Sequence, residues 1–184
     1  MEINKLVEAN PWWATGKVPE GLKGEPREEY SLLIKSVKIK EVTIITGVRR
    51  SGKSTLMYQM IDALFKGGIK PEQVLFVNLE ENKLTNDTLD DIYQAYRENI
   101  NPEKKAYIFL DEVHRRDKWE LWIRGHYDLD SSCKFIISGS CSYLLKKEYS
   151  TLLTGRNLTF EVFPLSFKEF LYFKKIKTDL SKLK

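Results

Sequence analysis

The sequence predicts an α/β fold, a three-layer sandwich in which a mostly parallel five-stranded sheet lies between two layers of helices. Three observations carry that prediction. Short apolar runs alternate with helix-periodic segments along the chain, the pattern of repeated βα units. Residues 106–110, Ala-Tyr-Ile-Phe-Leu, are apolar throughout, as a strand buried on both faces must be. A glycine-bearing loop joins the first apolar run, residues 42–46, directly to a helical pattern.

Each element follows from local pattern. Residues 1–24 read as an N-terminal arm with a short helix and an ordered loop. The arm holds Asn10-Pro11-Trp12-Trp13, then Gly16, Pro19, Gly21 and Gly24. Adjacent tryptophans are costly to leave in water, so at least one should pack on the domain. Tyr30, Leu33, Ile34 and Val37 repeat at helical spacing within 27–38. After the strand at 42–46, Met57, Met60, Ile61, Leu64 and Phe65 mark one helical face, and Gly67-Gly68 stops that helix. Residues 74–79 form the second strand. Leu89, Ile92, Tyr93 and Tyr96 outline a helix with Asp87 as its expected cap. The third strand is 106–110, followed by a helix through Trp119, Trp122, Ile123 and His126. Residues 133–137 form the fourth strand, 143–153 a helix, and 157–163 a fifth strand with alternating character. Ser166-Phe167-Lys168-Glu169 fits a capping box opening a last helix. The core domain is thus expected over 25–173, with 174–184 a basic linker or the start of a further unit.

The chain has 184 residues, 42% hydrophobic and 30% charged, which suits one globular domain with a real core. No apolar run approaches the ~20 residues of a membrane span. The N-terminus lacks the order of a secretory signal. Cys133 and Cys141 bracket an apolar run without C-x-x-C spacing and read as buried thiols of a reducing compartment. Two histidines are too few for a zinc site. These features point to the cytoplasm. A net charge of +4 is mild. It permits contact with nucleic acid without arguing for it, and the basic 174–184 stretch reads as a solvated end.

The loop after the first strand carries the sharpest chemistry. Gly47-Val48-Arg49-Arg50-Ser51-Gly52-Lys53-Ser54 fits G-x-x-x-x-G-K-[ST], the phosphate-binding P-loop, in its proper strand–loop–helix setting. Its glycines let successive backbone N–H groups curl inward onto phosphate oxygens, and the helix N-terminus adds its field. Lys53 reaches the β- and γ-phosphates, and Ser54 offers a hydroxyl to Mg²⁺. Arg49 and Arg50 occupy the variable part; their backbone N–H groups count in either case, and their side chains could pair with nearby acids or reach a phosphate directly.

Ligands of such sheets bind at the carboxyl ends of strands, so chemistry is expected just after Thr46, Leu110 and Ile137. After Leu110 come Asp111-Glu112. Four apolar residues and an Asp form the Walker B arrangement, with Asp111 helping to hold Mg²⁺. Glu112 is the candidate general base for an attacking water. After Ile137 come Ser138-Gly139-Ser140, and both serines are equal candidates to bond the γ-phosphate or the water. Gly155-Arg156 precedes the fifth strand. Arg156 could stabilise transition-state charge from the same or a neighbouring subunit, or make a surface salt bridge. His114 reads as a surface residue and His126 as a core residue. A GTPase wants Asp-x-x-Gly where His114 stands, and Asn82-Lys83-Leu84-Thr85 fails the guanine motif. The Asp-Glu pair favours an ATPase with a catalytic glutamate.

With those residues in hand, the chain resembles the archaeal and bacterial AAA-type P-loop ATPases that often carry a second, C-terminal domain. The resemblance runs from about Asn10 to Phe173. It rests on Asn10-Pro11-Trp12-Trp13, the P-loop, Asp111-Glu112-Val113, Trp119, Gly139-Ser140, Leu153-Thr154-Gly155-Arg156, and Phe163-Pro164-Leu165-Ser166-Phe167-Lys168-Glu169-Phe170. The last string is the specific one. The resemblance implies ATP at Gly47 through Thr55, Mg²⁺ through Ser54 and Asp111, Glu112 as base, and an AAA (ASCE-type) strand order of 5-1-4-3-2. Relatives often have Ser where Cys141 stands. They also continue past Phe173 into a helical lid or winged-helix region, so the expectation here is an ATPase domain without its lid and with weak turnover.

Two functions remain open from sequence, an ATPase and a low-turnover nucleotide switch that holds ATP or ADP and changes partners. A DNA-associated regulatory ATPase is a third, resting on the basic tail and analogy. A homo-oligomer would let Arg156 act across a subunit contact.

Overall fold

The computed structural model describes residues 1–27, 30–102, 105–140 and 153–176. The helix expected over 143–153 lies outside them except for Leu153, as do Cys141 and the lysines from 177 onward. Four short helices come first: α1 (Ile3–Ala9), α2 (Trp12–Thr15), α3 (Glu20–Lys23) and α4 (Tyr30–Ser36). Then come β1 (Val42–Thr46), α5 (Lys53–Lys66), β2 (Val74–Asn78), α6 (Leu89–Asn99), β3 (Ala106–Asp111), α7 (Trp119–Leu129), β4 (Cys133–Gly139), β5 (Asn157–Glu161) and α8 (Phe167–Phe173).

The five strands form one sheet in the order β2-β3-β4-β1-β5, with every pairing parallel. This is the 5-1-4-3-2 order that the resemblance implied. Strand residues alternate between two cores. Ile44, Leu75, Val77, Ile108, Leu110, Phe135 and Ile137 pack with α1, α6 and α7 through Leu6, Ile92, Tyr96, Trp119 and Ile123. Ile45, Val74, Phe76, Phe109 and Ile136 pack on the other face with Leu33 of α4 and Leu56, Met57, Met60 and Ile61 of α5. Both faces are dry because each strand offers apolar side chains at both parities.

The arm covers one edge of the sheet. β2 is an edge strand, and an edge exposes unpaired backbone groups. Asn10, fully buried, lends its side-chain amide as a substitute strand: its Oδ1 accepts from Phe76 N at 2.7 Å, and its Nδ2 donates to Phe76 O at 2.9 Å. Trp12 and Trp13 both donate their indole N–H to Val74 O, at 3.2 and 2.9 Å. The Asn-Pro-Trp-Trp string therefore satisfies the outward groups of alternate β2 residues. Asn10→Ala should strip two of them at once and cost about 2–6 kcal/mol, since each buried unsatisfied group costs about 1–3 kcal/mol. Urea unfolding measures it, and a loss under about 0.5 kcal/mol would refute the edge-cover role.

Two local expectations are corrected. Thr88, not Asp87, caps α6: its hydroxyl accepts from Asp91 N at 3.1 Å, and Asp91 returns a bond to Thr88 N. Asp87 instead pairs with Lys5 at 3.1 Å. The fifth strand ends at Glu161, two residues early, because the chain leaves the sheet after pairing with Thr46.

Candidate nucleotide site

The register brings the predicted residues to one end of the sheet, the carboxyl ends of its three central strands. Thr46, the end of β1, pairs with Gly139 of β4, and Leu110 of β3 pairs with Ile137. Asp111 therefore falls beside Ser138. The three strand ends named from sequence are neighbours in space.

The P-loop turns tightly over β5's exit. A Cβ on Gly47 would collide with the Val162 carbonyl oxygen, so only glycine fits there. Gly52 has φ +95°, and α5 starts directly after it at Lys53. Arg50 also takes a left-handed φ of 66°. Gly24 packs against Thr55, where an added Cβ would lie 3.2 Å from the threonine methyl. Lys53 is buried and folds back over the loop, donating to Gly47 O at 3.1 Å and Val48 O at 3.2 Å. Ser51 Oγ is buried with no protein hydrogen-bond partner. Such an orphan hydroxyl, inside a curl of backbone at a helix N-terminus, suits an anion's oxygens.

The acid pair is divided by role. Asp111 is buried and accepts from Ser54 Oγ at 2.5 Å and from Ser138 Oγ. A hydroxyl and a carboxylate side by side are the protein oxygens that Mg²⁺ takes from a P-loop protein, with phosphate and water supplying the rest. Among the described residues no cluster of three or more His, Cys, Asp or Glu could hold a metal ion. Glu112 adopts a left-handed φ of 55°, an uncommon conformation for a side chain with a Cβ. Its N–H donates to Ser138 Oγ at 3.1 Å, and its carboxylate lies 3.4 Å from Lys53 Nζ and 3.4 Å from His114 Nδ1.

Glu112, Lys53, His114, Arg49, Glu80, Arg115 and Ser140 line a cavity of about 160 Å³. The geometry separates the two serines. Ser138 is fully buried and committed to Asp111 and Glu112, while Ser140 lines the cavity. His114 stands in that cavity wall rather than on open surface, and burial lowers its pKa. His126 is half-buried among Tyr93, Trp122 and Phe135. Arg49 pairs with Glu80 at 3.5 Å, and Glu80 also holds Arg115 at 2.6 Å.

Arg156 lies elsewhere. Its carbonyl accepts from Val42 N, the first residue of β1, at 2.7 Å, whereas the P-loop follows the last. A whole strand, roughly 13 Å at ~3.3 Å per residue, separates it from the P-loop of its own chain. Its guanidinium grips Asp128 of α7 at 2.9 and 3.3 Å, and holds that carboxyl below its usual range. Action on its own chain's phosphates is therefore not available from this position.

Sequence reasoning missed Arg27. Its Nε and Nη2 fork onto Glu169 at 2.9 and 3.2 Å, and its Nη1 donates to Ser51 O at 2.7 Å and Phe163 O at 3.0 Å. The Arg27 guanidinium holds the Glu169 carboxyl down at about 2, assisted by the Ser166 N–H and hydroxyl. Glu169 was legible only as a capping residue, a role it also fills.

Sheet order and the P-loop between β1 and α5 together define a P-loop NTPase fold. Comparison with known proteins narrows the class: a family profile described as AAA domain matches residues 39–171, and the chain belongs to that family of nucleotide-binding, ATPase-type domains. It is similar to uncharacterized protein MJ1544 of Methanocaldococcus jannaschii, 37% identical over 134 residues, 73% of this chain and 29% of that protein. An uncharacterized protein of Haemophilus influenzae is 35% identical over 157 residues, covering 83% of this chain and 39% of the relative. MJ1637 of M. jannaschii is 34% identical over 163 residues, 83% and 33%. The chain thus spans about a third of the length of the curated relatives it matches. Among the described residues no helix is long and apolar enough to cross a membrane.

Proposed function

We propose that this domain binds MgATP and hydrolyses it to ADP and phosphate. The observation that carries the reading is the meeting of Lys53, Glu112 and Ser140 around one cavity, with the Ser54–Asp111 pair behind it. The loop N–H groups and Ser51 Oγ bind the phosphates. Lys53 exchanges its loop carbonyls for phosphate oxygens. Ser54 and Asp111 would hold Mg²⁺, which supplies charge neutralisation at the β- and γ-oxygens. Glu112 accepts a proton from the attacking water and is aimed by its bond to Ser138. Ser140 is the cavity-facing serine able to bond the γ-phosphate or that water. Steady-state hydrolysis of ATP and GTP, with and without Mg²⁺, tests the proposal; no turnover and no binding of either would overturn it.

Arg156 fits this chemistry only from a second copy. Its carboxylate partner is exposed, so the pair is cheap to exchange for a neighbour's phosphate. Activity per chain should then rise with protein concentration. Mixing Arg156→Ala with Glu112→Gln chains should restore activity, because one site can combine an intact base with an intact arginine. Flat activity and a dead mixture would reduce Arg156 to its ion pair with Asp128.

A further inference from the structure

The P-loop has a backbone grip that lies outside its own motif. Arg27 and Glu169 are both buried, at 9% and 8% exposure, and form a bidentate pair 142 residues apart. A structural pair needs nothing more. Arg27 nonetheless sends Nη1 to two backbone carbonyls, Ser51 O in the P-loop and Phe163 O after β5. One planar guanidinium thus fastens the segment before α4, the β5 exit, α8 and the phosphate loop. Arg27 also lies before the stretch that the family profile matches, while Glu169 lies within it.

The Ser51 contact has a directional consequence. In a trans peptide the carbonyl and the following N–H point in opposite directions in one plane. With Ser51 O turned toward Arg27, the Gly52 N–H is turned to the side away from that guanidinium. Gly52 sits at φ +95°, where glycine leaves the adjoining peptide planes free to rotate at little cost. The 51–52 peptide therefore gains from an external hold.

We infer that Arg27, held by Glu169, is a positioning residue that presets the Gly52 N–H for a nucleotide phosphate, so that α8 and the pre-α4 segment set nucleotide affinity. This rests on the reading of the P-loop cavity as a nucleotide site. The phosphate charge meets a donor already aimed, and the cost of ordering the loop falls before binding.

Calorimetric titration of the full chain with MgADP tests it. Arg27→Lys keeps the charge, but a single ammonium cannot span Glu169, Ser51 O and Phe163 O. Its affinity should fall about tenfold or more, the scale of a lost hydrogen bond to a charged group. Asn10→Ala, destabilised at the far β2 edge, should keep wild-type affinity. The Arg27→Lys, Glu169→Ala double variant should lose no more than Arg27→Lys alone, because both act through one contact. The Gly52 amide resonance of the nucleotide-free protein should move in Arg27→Lys and stay in Asn10→Ala. If Arg27→Lys does not fold, Glu169→Ala decides the matter by the same two readouts. Wild-type affinity with an unmoved Gly52 amide in the folded variant overturns the inference. Absence of MgADP binding to the wild-type chain overturns the nucleotide reading itself, and the inference with it.

Discussion

Glu112→Gln is expected to lower kcat for ATP hydrolysis by about 10²–10⁴-fold, the usual worth of a general base. Glutamine keeps the volume and the backbone bond to Ser138, so Asp111 and the loop should stay in place. What disappears is a carboxylate able to accept a proton from water. The effect on binding has a definite sign. Glu112 now lies 3.4 Å from Lys53 and competes with phosphate for its charge. Removing that competitor should leave the Kd for MgATP unchanged or tighter, and a base acting only in the transition state lowers kcat alone. Single-turnover hydrolysis beside a binding titration separates the two. A variant that loses ATP binding while hydrolysing what it binds at the wild-type rate would make Glu112 a structural partner of Lys53.

The site was legible where its chemistry is contiguous in the chain. Gly47 to Ser54 is one loop between β1 and α5, and Asp111-Glu112 is one strand end, so local pattern suffices. Burial on alternate faces was equally readable, because Ile44 and Ile45 must point into different cores. Strand order was not written in any periodicity and came from resemblance. Ser138 and Ser140 share a parity, so alternation could not separate them. Depth does: one still lies in β4 beside Asp111, the other just past its end. Arg27 and Glu169 were invisible as a pair because nothing local links positions 142 residues apart. Lys134 was hidden for a related reason. It sits in an apolar run yet is buried, its ammonium bonded to Thr43 Oγ1 and Glu41 O, and burial pushes its pKa down to about 8. Arg156 was left open between its own site, a neighbour's site and a salt bridge, although a residue just before a parallel strand stands at the amino end of the sheet, away from the carboxyl ends where the P-loop lies.

Lys53→Ala should weaken MgATP binding at least tenfold, since a charge-assisted contact in a buried site is worth roughly 1.5–3 kcal/mol and about 1.4 kcal/mol is a factor of ten. The lysine has a second job in this structure. It is only 4% exposed and, before nucleotide arrives, holds Gly47 O and Val48 O from the far end of the loop, so its loss also loosens the curl that the phosphates meet. It further neutralises Glu112, and an uncompensated carboxylate beside the phosphates would itself repel them. These causes separate in the Lys53→Ala, Glu112→Gln double variant. If repulsion by Glu112 were the main loss, the double variant would recover most of the affinity. The expected result is that it does not, because glutamine removes the repulsion but supplies neither the cation for the phosphates nor the hold on the loop carbonyls that precedes them. Wild-type MgATP affinity in Lys53→Ala alone, read by calorimetry, would remove the phosphate cradle from this loop altogether. In that event the Gly47–Ser54 turn would be no more than a tight connection from β1 into α5.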